Sequence, residues 1–353
     1  MLQFSITIKK EVRAMNKKVF VGLSGGVDSS VAAALLKQKG YDVEGISLVL
    51  TPNDDGSASR DAKAVADALS IPLHIIDLKS AFAERVIDYF VEEYKLGRTP
   101  NPCIRCNETI KFGLMLEKAL EMGADFLATG HYAKIALENG KYLLKAADSV
   151  KDQSYFLYRL NQDQLSHVLF PIADMEKEDT RAIARELGLP VADKGDSQEI
   201  CFIPDNDYVK FIKEYSSFES VPGNFVDLNG NVIGQHSGII NYTVGQRKGL
   251  GVAFGEPMFV TKIDAKTNEV VLAPNGFQET SEFFVDNLSE SFTSECKLDV
   301  KIRYKASRVS ATIIPIENGK VKVVFDVPQR AVTPGQSAVF YDGDTVVGGG
   351  YIV

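Results

Sequence analysis

From Lys17 onward the apolar positions fall in short β-rich runs that alternate with stretches of helical spacing. Lys18 to Val21, Val43 to Val49, Leu73 to Ile76 and Phe126 to Thr129 have the composition of strands covered on both faces. Between the first two, Ser29 to Lys39 carries Val31, Ala34 and Leu35 at helical spacing and stops at Gly40, which takes a left-handed backbone without steric cost. That is a βαβ unit. A later helix, Lys177 to Leu187, is predicted to close in the same way, at Gly188 and Pro190. Alternation of this kind predicts an α/β fold with a doubly wound parallel sheet.

Beyond about Asp205 one more helix is predicted, because Tyr208, Phe211, Ile212 and Tyr215 occupy positions i, i+3, i+4 and i+7. From Val221 the texture changes to Gly and Asn turns between short alternating strands, such as Val321 to Val327 and Thr345 to Val353. Small β modules are expected there. The predicted organisation is an extension over 1–15, a main domain over 16–205, a central module over 206–281 and a C-terminal β module over 282–353. Met15 is a second candidate for the start of the chain, since the first strand follows it directly.

Composition narrows the class. The 353 residues carry 39 Lys and Arg against 47 Asp and Glu, a net charge of −8. Such a chain is not coated in basic charge, so any grip on nucleic acid must be local. No run approaches the ~20 apolar residues of a membrane helix, and four cysteines are too few for a disulfide scaffold. A reducing cytoplasm is the expected setting, with Cys103, Cys106, Cys201 and Cys296 buried, catalytic or metal-binding.

Two segments carry chemistry. Gly22-Leu23-Ser24-Gly25-Gly26-Val27-Asp28-Ser29-Ser30 follows an apolar strand and opens a helix. Adjacent glycines let backbone N–H groups turn inward, Ser24 and Ser29 add hydroxyls, and the helix N-terminus favours an anion. No lysine follows the glycines, so this is neither GxxxxGK[S/T] nor GxGxxG. The plain alternative is a tight strand-to-helix turn with a Ser or Asp cap. Asp28 beside phosphates calls for a bridging cation, Mg²⁺. The second segment is Asn101-Pro102-Cys103-Ile104-Arg105-Cys106-Asn107, ahead of a helix expected near Glu108. Thiols at a helix N-terminus beside Arg105 are expected to have a lowered pKa. Half a zinc site and two inert thiols are the alternatives; His131 and Cys201, the nearest further ligands, are singletons.

The loop SGGVDS resembles the pyrophosphate (PP) loop of the ATP-pyrophosphatase superfamily. NPCIRCN, ATGHYA (Ala128 to Ala133), KDQSYFLY (Lys151 to Tyr158), SQEICFI, YTVGQRKGLGV (Tyr242 to Val252) and TPGQSAVFYDGDTVVGGG extend the likeness over about 16–353. Together they resemble the tRNA-specific 2-thiouridylase family. The resemblance implies a PP-loop α/β domain, a central domain and a C-terminal β-barrel. It implies ATP and Mg²⁺, tRNA with uridine 34 in the anticodon, and a persulfide donor, either a cysteine desulfurase or a relay protein.

By the same resemblance Gly22 to Ser29, including Leu23, Ser24, Gly25, Gly26, Val27 and Asp28, hold the ATP phosphates, with Leu48 and Gly130 completing the nucleotide site. Cys201 carries the persulfide and Cys106 is the second catalytic cysteine. Asn101, Pro102 and Cys103 meet the target base, and His131, Lys151, Asp152, Gln153, Arg303, Tyr304 and Gln336 touch tRNA. Some family members have Asp at the position of Cys103, so that carboxylate's role does not transfer. Cys103, Cys106 and Cys201 could instead ligate an iron–sulfur cluster with one open iron.

On charge alone, Lys301, Arg303 and Lys305 would share one face of a strand, and Arg247 and Lys248 are further phosphate-contact candidates. Competing readings are a small-molecule ATP-pyrophosphatase ligase, which needs no paired cysteines, and a zinc or iron–sulfur RNA-binding module with a dead nucleotide loop.

Overall fold

The computed structural model describes residues 17–52, 55–195, 200–252, 254–277 and 279–353. The expected extension, Met15, Asp196 and Ser197 to Glu199 of the SQEICFI motif lie outside the described residues.

The first layer is built as the apolar runs require. Strand β1 (Lys18–Gly22) leads through helix α1 (Val27–Gln38) to β2 (Asp42–Val49), then through α2 (Ser57–Leu69) to β3 (Leu73–Asp77). The chain returns through α3 (Lys79–Phe82), a π-helical turn (Ala83–Ile87) and α4 (Asp88–Lys95). Next come α5 (Pro102–Cys106), a π-helical segment (Asn107–Met115) and α6 (Leu116–Glu121), which deliver β4 (Phe126–Ala128). Strands β5 (Ala133–Glu138) and β6 (Lys141–Ala146), helix α7 (Gln162–Ser166), β7 (Val168–Leu169) and α8 (Lys177–Glu186) follow.

The parallel sheet has the order β3-β2-β1-β4-β7. Alternation along β1 explains why both faces are covered. Phe20 points to one side with Ile46, Leu127, Phe112 and Met115, and Val19 and Val21 point to the other with Ala33, Leu36 and Val65. Each such side chain contributes about 1.5–3 kcal/mol on burial. Strand order reverses between β1 and β4, so the loops leaving their C-terminal ends part and open a crevice.

Helix α9 (Tyr208–Ser216) precedes a small sheet of β8 (Gly223–Val226), β9 (Val232–His236), β10 (Met258–Asp264) and β11 (Glu269–Pro274), in the order β10-β11-β8-β9. The last module is a closed six-stranded barrel: β12 (Glu279–Asp286), β13 (Cys296–Lys301), β14 (Val309–Ile316), β15 (Lys320–Arg330), β16 (Ser337–Asp342) and β17 (Thr345–Ile352). Pairing of β12 with β17 closes the ring, and the β5–β6 hairpin joins its rim where Lys145 meets Thr345.

The expected basic strand face is not formed. Strand β13 ends at Lys301, and Arg303, Tyr304 and Lys305 lie in the turn before β14, with Arg303 and Lys305 exposed. The chain must reverse there to pair β13 antiparallel with β14, which ends the alternation.

One short turn joins the three modules. The Thr99 N–H donates to the Pro334 carbonyl at 2.8 Å, and the Gln336 amide donates to the Thr99 carbonyl at 2.7 Å. The Thr99 hydroxyl donates to that of Thr243 in the central module at 3.3 Å. The barrel and the central module therefore clasp the residues that lead directly into α5.

Candidate functional site

The crevice at the end of β1 is an anion cradle made of backbone. Gly25 has a φ of +70°, and a Cβ there would fall 2.8 Å from the Ala58 carbonyl oxygen and 2.9 Å from Asp61 Cβ. Glycine satisfies both conditions at once. Gly26 is the N-cap of α1 and offers no side-chain cap, so the first N–H groups of the helix are not taken by one. Ser29 Oγ lies 3.3 Å from Ser24 Oγ and accepts from the Ser24 N–H at 3.3 Å, which draws the loop into a cup. Lys194 braces the outside, donating to the Gly25 carbonyl at 2.9 Å and pairing with Asp61 at 2.5 Å.

Gly130, on the loop after β4, presses against this cup. A Cβ on it would lie 2.6 Å from both the Asp28 carbonyl carbon and the Ser29 nitrogen. The two loops of the crevice thus touch backbone to backbone. Leu48, near the end of β2, is half-buried where the cluster around Phe20 meets the cluster around Phe82.

Asp28 has partners of its own within the fold. Both of its oxygens accept from Lys177 Nζ at 2.8 Å, and Oδ1 also accepts from the Tyr132 hydroxyl at 2.9 Å. Lys177 opens α8 and is buried, so folding brings an ammonium against the carboxylate for which the sequence suggests Mg²⁺. Among the described residues no group of three or more His, Cys, Asp or Glu side chains is arranged to hold a metal ion.

The cysteine segment forms a helix for legible reasons. Asn101 caps α5 by accepting from the Cys103 N–H at 3.1 Å, and Pro102 sits in the first turn, where no N–H is missed. Cys103 is exposed there and Cys106, one turn on, is buried. Cys201 is exposed, and the charges of Cys103 and Cys201 add to what raises the Cys106 thiol.

The expected lowering of their pKa does not occur. Burial pushes Cys106 up to about 12, and desolvation by the surrounding protein raises Cys103 and Cys201 as well although both residues reach solvent. Desolvation outweighs the pull of a five-residue helix. Arg105 gives no help because it turns away, pairing with Glu108 at 3.1 Å and lying over the Tyr89 ring. The cation that acts on all three thiols is Lys111.

His131 packs between the Phe112 and Phe170 rings, and its Nδ1 lies 2.7 Å from Thr129 Oγ1. Burial, then Lys111, hold its pKa well below the usual histidine range, so it is neutral at pH 7. Asp152 is spent internally, accepting from the Ala147 and Ser154 N–H groups and from the Ser154 hydroxyl. The Gln153 side chain accepts from the Tyr132 N–H at 3.1 Å. Lys151, half-buried, stands one residue before Asp152 on this loop.

Tyr304 packs against Phe156 at 4.5 Å, with Lys301 over its ring and Arg303 exposed beside it. The barrel turn and the segment containing Lys151 therefore form one surface. Gln336 is not on it, since its amide holds Thr99. Arg247 and Lys248 are exposed in the central module, where Arg247, Gly249, Leu250 and Phe254 line a cleft of about 470 Å³.

Tyr132, Lys177, Lys194 and Lys111 escaped the sequence reading. For Lys177 a signal existed: a lysine in the first turn of a helix opposes the macrodipole and needs a reason to be there.

Three family models match the chain in succession: a tRNA methyl transferase HUP domain over 17–205, a tRNA methyl transferase PRC-barrel domain over 209–274 and an aminomethyltransferase beta-barrel domain over 279–352. Curated relatives are similar from end to end. The tRNA-specific 2-thiouridylase MnmA of Acetivibrio thermocellus is 53% identical over 95% of this chain and 99% of its own length. That of Clostridium acetobutylicum is 52% identical over 96% and 100%, and that of Clostridioides difficile 48% over 96% and 98%. With this identity over nearly the whole length, the chain belongs to the tRNA-specific 2-thiouridylase (MnmA) family.

Proposed function

We propose that this chain thiolates C2 of the wobble uridine, U34, of tRNA at the expense of ATP. The observation that carries the reading is one fold holding two unlike devices: an uncapped glycine loop suited to phosphates and a pair of thiols, Cys103 and Cys106, one turn apart on α5. The curated relatives are 2-thiouridylases, and a small-molecule ligase would have no use for the thiols. A methyl transfer, as two of the family models' descriptions have it, would have no use for a phosphate cup.

In this reading Gly22 to Ser29 hold the ATP phosphates and Leu48 and Gly130 shape the remainder of the nucleotide site. The C2 oxygen of the uridine attacks the α-phosphorus, pyrophosphate leaves, and the base becomes an adenylate. A terminal sulfur anion carried on Cys201 attacks C2, and AMP departs with the electron pair of the C2–O bond. The Cys106 thiolate then attacks Cys201 Sγ; that S–S bond breaks, its electrons go to the sulfur on the base, and 2-thiouridine is left. Cys106 and Cys201 end as a disulfide, which an external thiol reductant must reopen. The sulfur enters from a persulfide donor, a cysteine desulfurase or a relay protein.

Mg²⁺ arriving with ATP would neutralise phosphate charge. Asp28 reaches such a cation only by exchanging or sharing its bond to Lys177. Asn101, Pro102 and Cys103 line the approach to the base, which must leave the anticodon stack to react. His131, Lys151, Asp152, Gln153, Arg303, Tyr304 and Gln336 are the tRNA-contact set, Asp152 and Gln336 acting through the loops they fasten. A cluster on Cys103, Cys106 and Cys201 stands only as an alternative outcome of the test, since these thiols form no group arranged to hold a metal ion. The reducing cytoplasm suits an enzyme with four free cysteines.

The test is an anaerobic assay with unmodified tRNA, ATP, Mg²⁺ and a persulfide donor, reading 2-thiouridine by nucleoside mass spectrometry and iron content in parallel. Product from iron-free protein, abolished by Cys201→Ser and by Cys106→Ser, is the expected result. Product only with iron bound favours the cluster; undiminished product from either variant sinks the cysteine assignment.

A further inference from the structure

Arg308 stands where the barrel turn after β13 runs into β14, and it has no role in the scheme above. Its guanidinium lies over the Tyr341 ring of β16, 3.7 Å from the ring centre, and its Nη1 donates to the Gly343 carbonyl at 2.8 Å. Its Nη2 comes within 4.0 Å of Asp152 Oδ2. Asp152 belongs to the main domain, where its carboxylate fastens the loop 147–154 by accepting from the Ala147 and Ser154 N–H groups. The Ser154 hydroxyl donates to Asp152 Oδ2 at 2.9 Å and, with its proton so used, accepts from the Tyr341 hydroxyl at 3.2 Å. Arg308, Tyr341, Ser154 and Asp152 therefore close a ring across the seam between the barrel and the main domain.

Two observations give this ring more than a packing role. It joins the two segments proposed to meet tRNA: Lys151 and Gln153 flank Asp152, and Arg303 and Tyr304 precede Arg308 on the barrel turn. Tyr304 makes a second contact across the same seam, against Phe156 at 4.5 Å. The guanidinium is also committed within the fold, its side chain 27% exposed, whereas Arg303 is open to solvent. The turn it holds is itself fixed to the main domain, since the Ala146 N–H donates to the Asp344 carbonyl at 2.8 Å. A loop held in place beforehand loses little freedom when a ligand docks, so fastening it strengthens binding without a contact to the ligand.

We propose that Arg308 is a positioning residue for tRNA: it holds the loop bearing Lys151 and Gln153 in register with the turn bearing Arg303 and Tyr304, so that both segments meet the nucleic acid as one prearranged surface. This rests on the tRNA reading given above. Arg308 itself touches no phosphate, and its contribution is to affinity, not to chemistry on the base.

The experiment measures binding of unmodified tRNA to the full-length chain over a range of salt, with thiolation kinetics alongside, for Arg308→Ala, Arg308→Lys and, as the exposed reference, Arg303→Ala. Arg308→Ala should weaken tRNA binding by about tenfold, the cost of ordering one or two side chains on association, and leave the slope of log K against log salt unchanged. KM for tRNA should rise by a similar factor while kcat is kept. Arg308→Lys should not restore affinity, because an ammonium has no planar face to lay on Tyr341. A slope reduced by about 0.7–0.9 in Arg308→Ala, with recovery in Arg308→Lys, makes Arg308 a direct phosphate contact and overturns the proposal. Unchanged affinity in Arg308→Ala overturns it too, as does a loss of ATP affinity and melting temperature in step with tRNA affinity, which marks a packing role. Failure of the tRNA reading itself looks different: the unaltered chain then shows no salt-dependent binding of tRNA and Arg303→Ala changes nothing, which removes the proposal with it.

Discussion

Lys177 donates to both carboxylate oxygens of Asp28 at 2.8 Å, across 149 positions of chain. The start of α8 is thereby tied to the phosphate loop, and the charge of the loop's one acid is balanced by a lysine of the same chain. The pair is well shielded, with the Lys177 side chain 11% and that of Asp28 29% exposed. Removing one partner of such a pair strands the other. Lys177→Met is expected to cost about 1–3 kcal/mol, less than a fully buried pair would lose. In a urea double-mutant cycle Lys177→Met with Asp28→Asn should cost less than the sum of the two singles; strict additivity would mean the bond contributes nothing.

Gly130 is expected to be irreplaceable for the nucleotide. In Gly130→Ala the new methyl meets backbone at 2.6 Å, and neither loop can yield without distorting the cup. ATP affinity should fall about tenfold or more, for a strain of about 1–3 kcal/mol. Calorimetric titration with ATP reads it, and alkylation of Cys106 supplies the control, since the thiols lie on another element.

Cys106 should behave as a buried acid. Burial raises the pKa of Cys106 to about 12, so the neutral form dominates at pH 7 and the thiolate fraction rises about tenfold per pH unit. Alkylation of Cys106 by iodoacetamide is expected to climb steadily from pH 7 to 10. A plateau near pH 7 would show that the helix N-terminus, and not desolvation, sets its reactivity.

Docking of the barrel should matter to activity at a distance. Gly335 has a φ of +89°, and a Cβ there would fall 2.9 Å from the Thr99 nitrogen. Gly335→Ala is expected to loosen the clasp on the turn that leads into α5, slowing thiolation while ATP affinity stays unchanged.

Exposed Arg303 should act through phosphate alone. Replacing it by Ala is expected to weaken tRNA binding and reduce the slope of log K against log salt by about 0.7–0.9, the loss of one phosphate contact. A slope that does not change would remove Arg303 from the tRNA surface.

Much of this molecule was legible in order of sequence. The runs at Lys18, Val43, Leu73 and Phe126 became the parallel strands β1 to β4, the inner ones covered on both faces and the edge strand β3 leaving Ile75 exposed. The helix after the glycine loop and the helix at Tyr208 formed where their periodicity placed them. The basic run from Lys301 was misread as one strand face, since two-residue alternation of charge cannot show where a hairpin turns.

Sequence by itself determined the local matters: which segments are strand or helix, that Gly22 to Ser29 form a loop poised at a helix N-terminus, and that the whole pattern is that of one family. Those follow from short-range sterics and periodicity, which neighbouring residues carry with them. The tertiary structure alone decided which charges meet. It set Lys177 against Asp28, turned Arg105 away from the thiols, and raised thiols that local reasoning lowered. Desolvation and ion pairing depend on what lies within a few ångströms in space, and for Asp28 and Lys177 those few ångströms span 149 residues of chain.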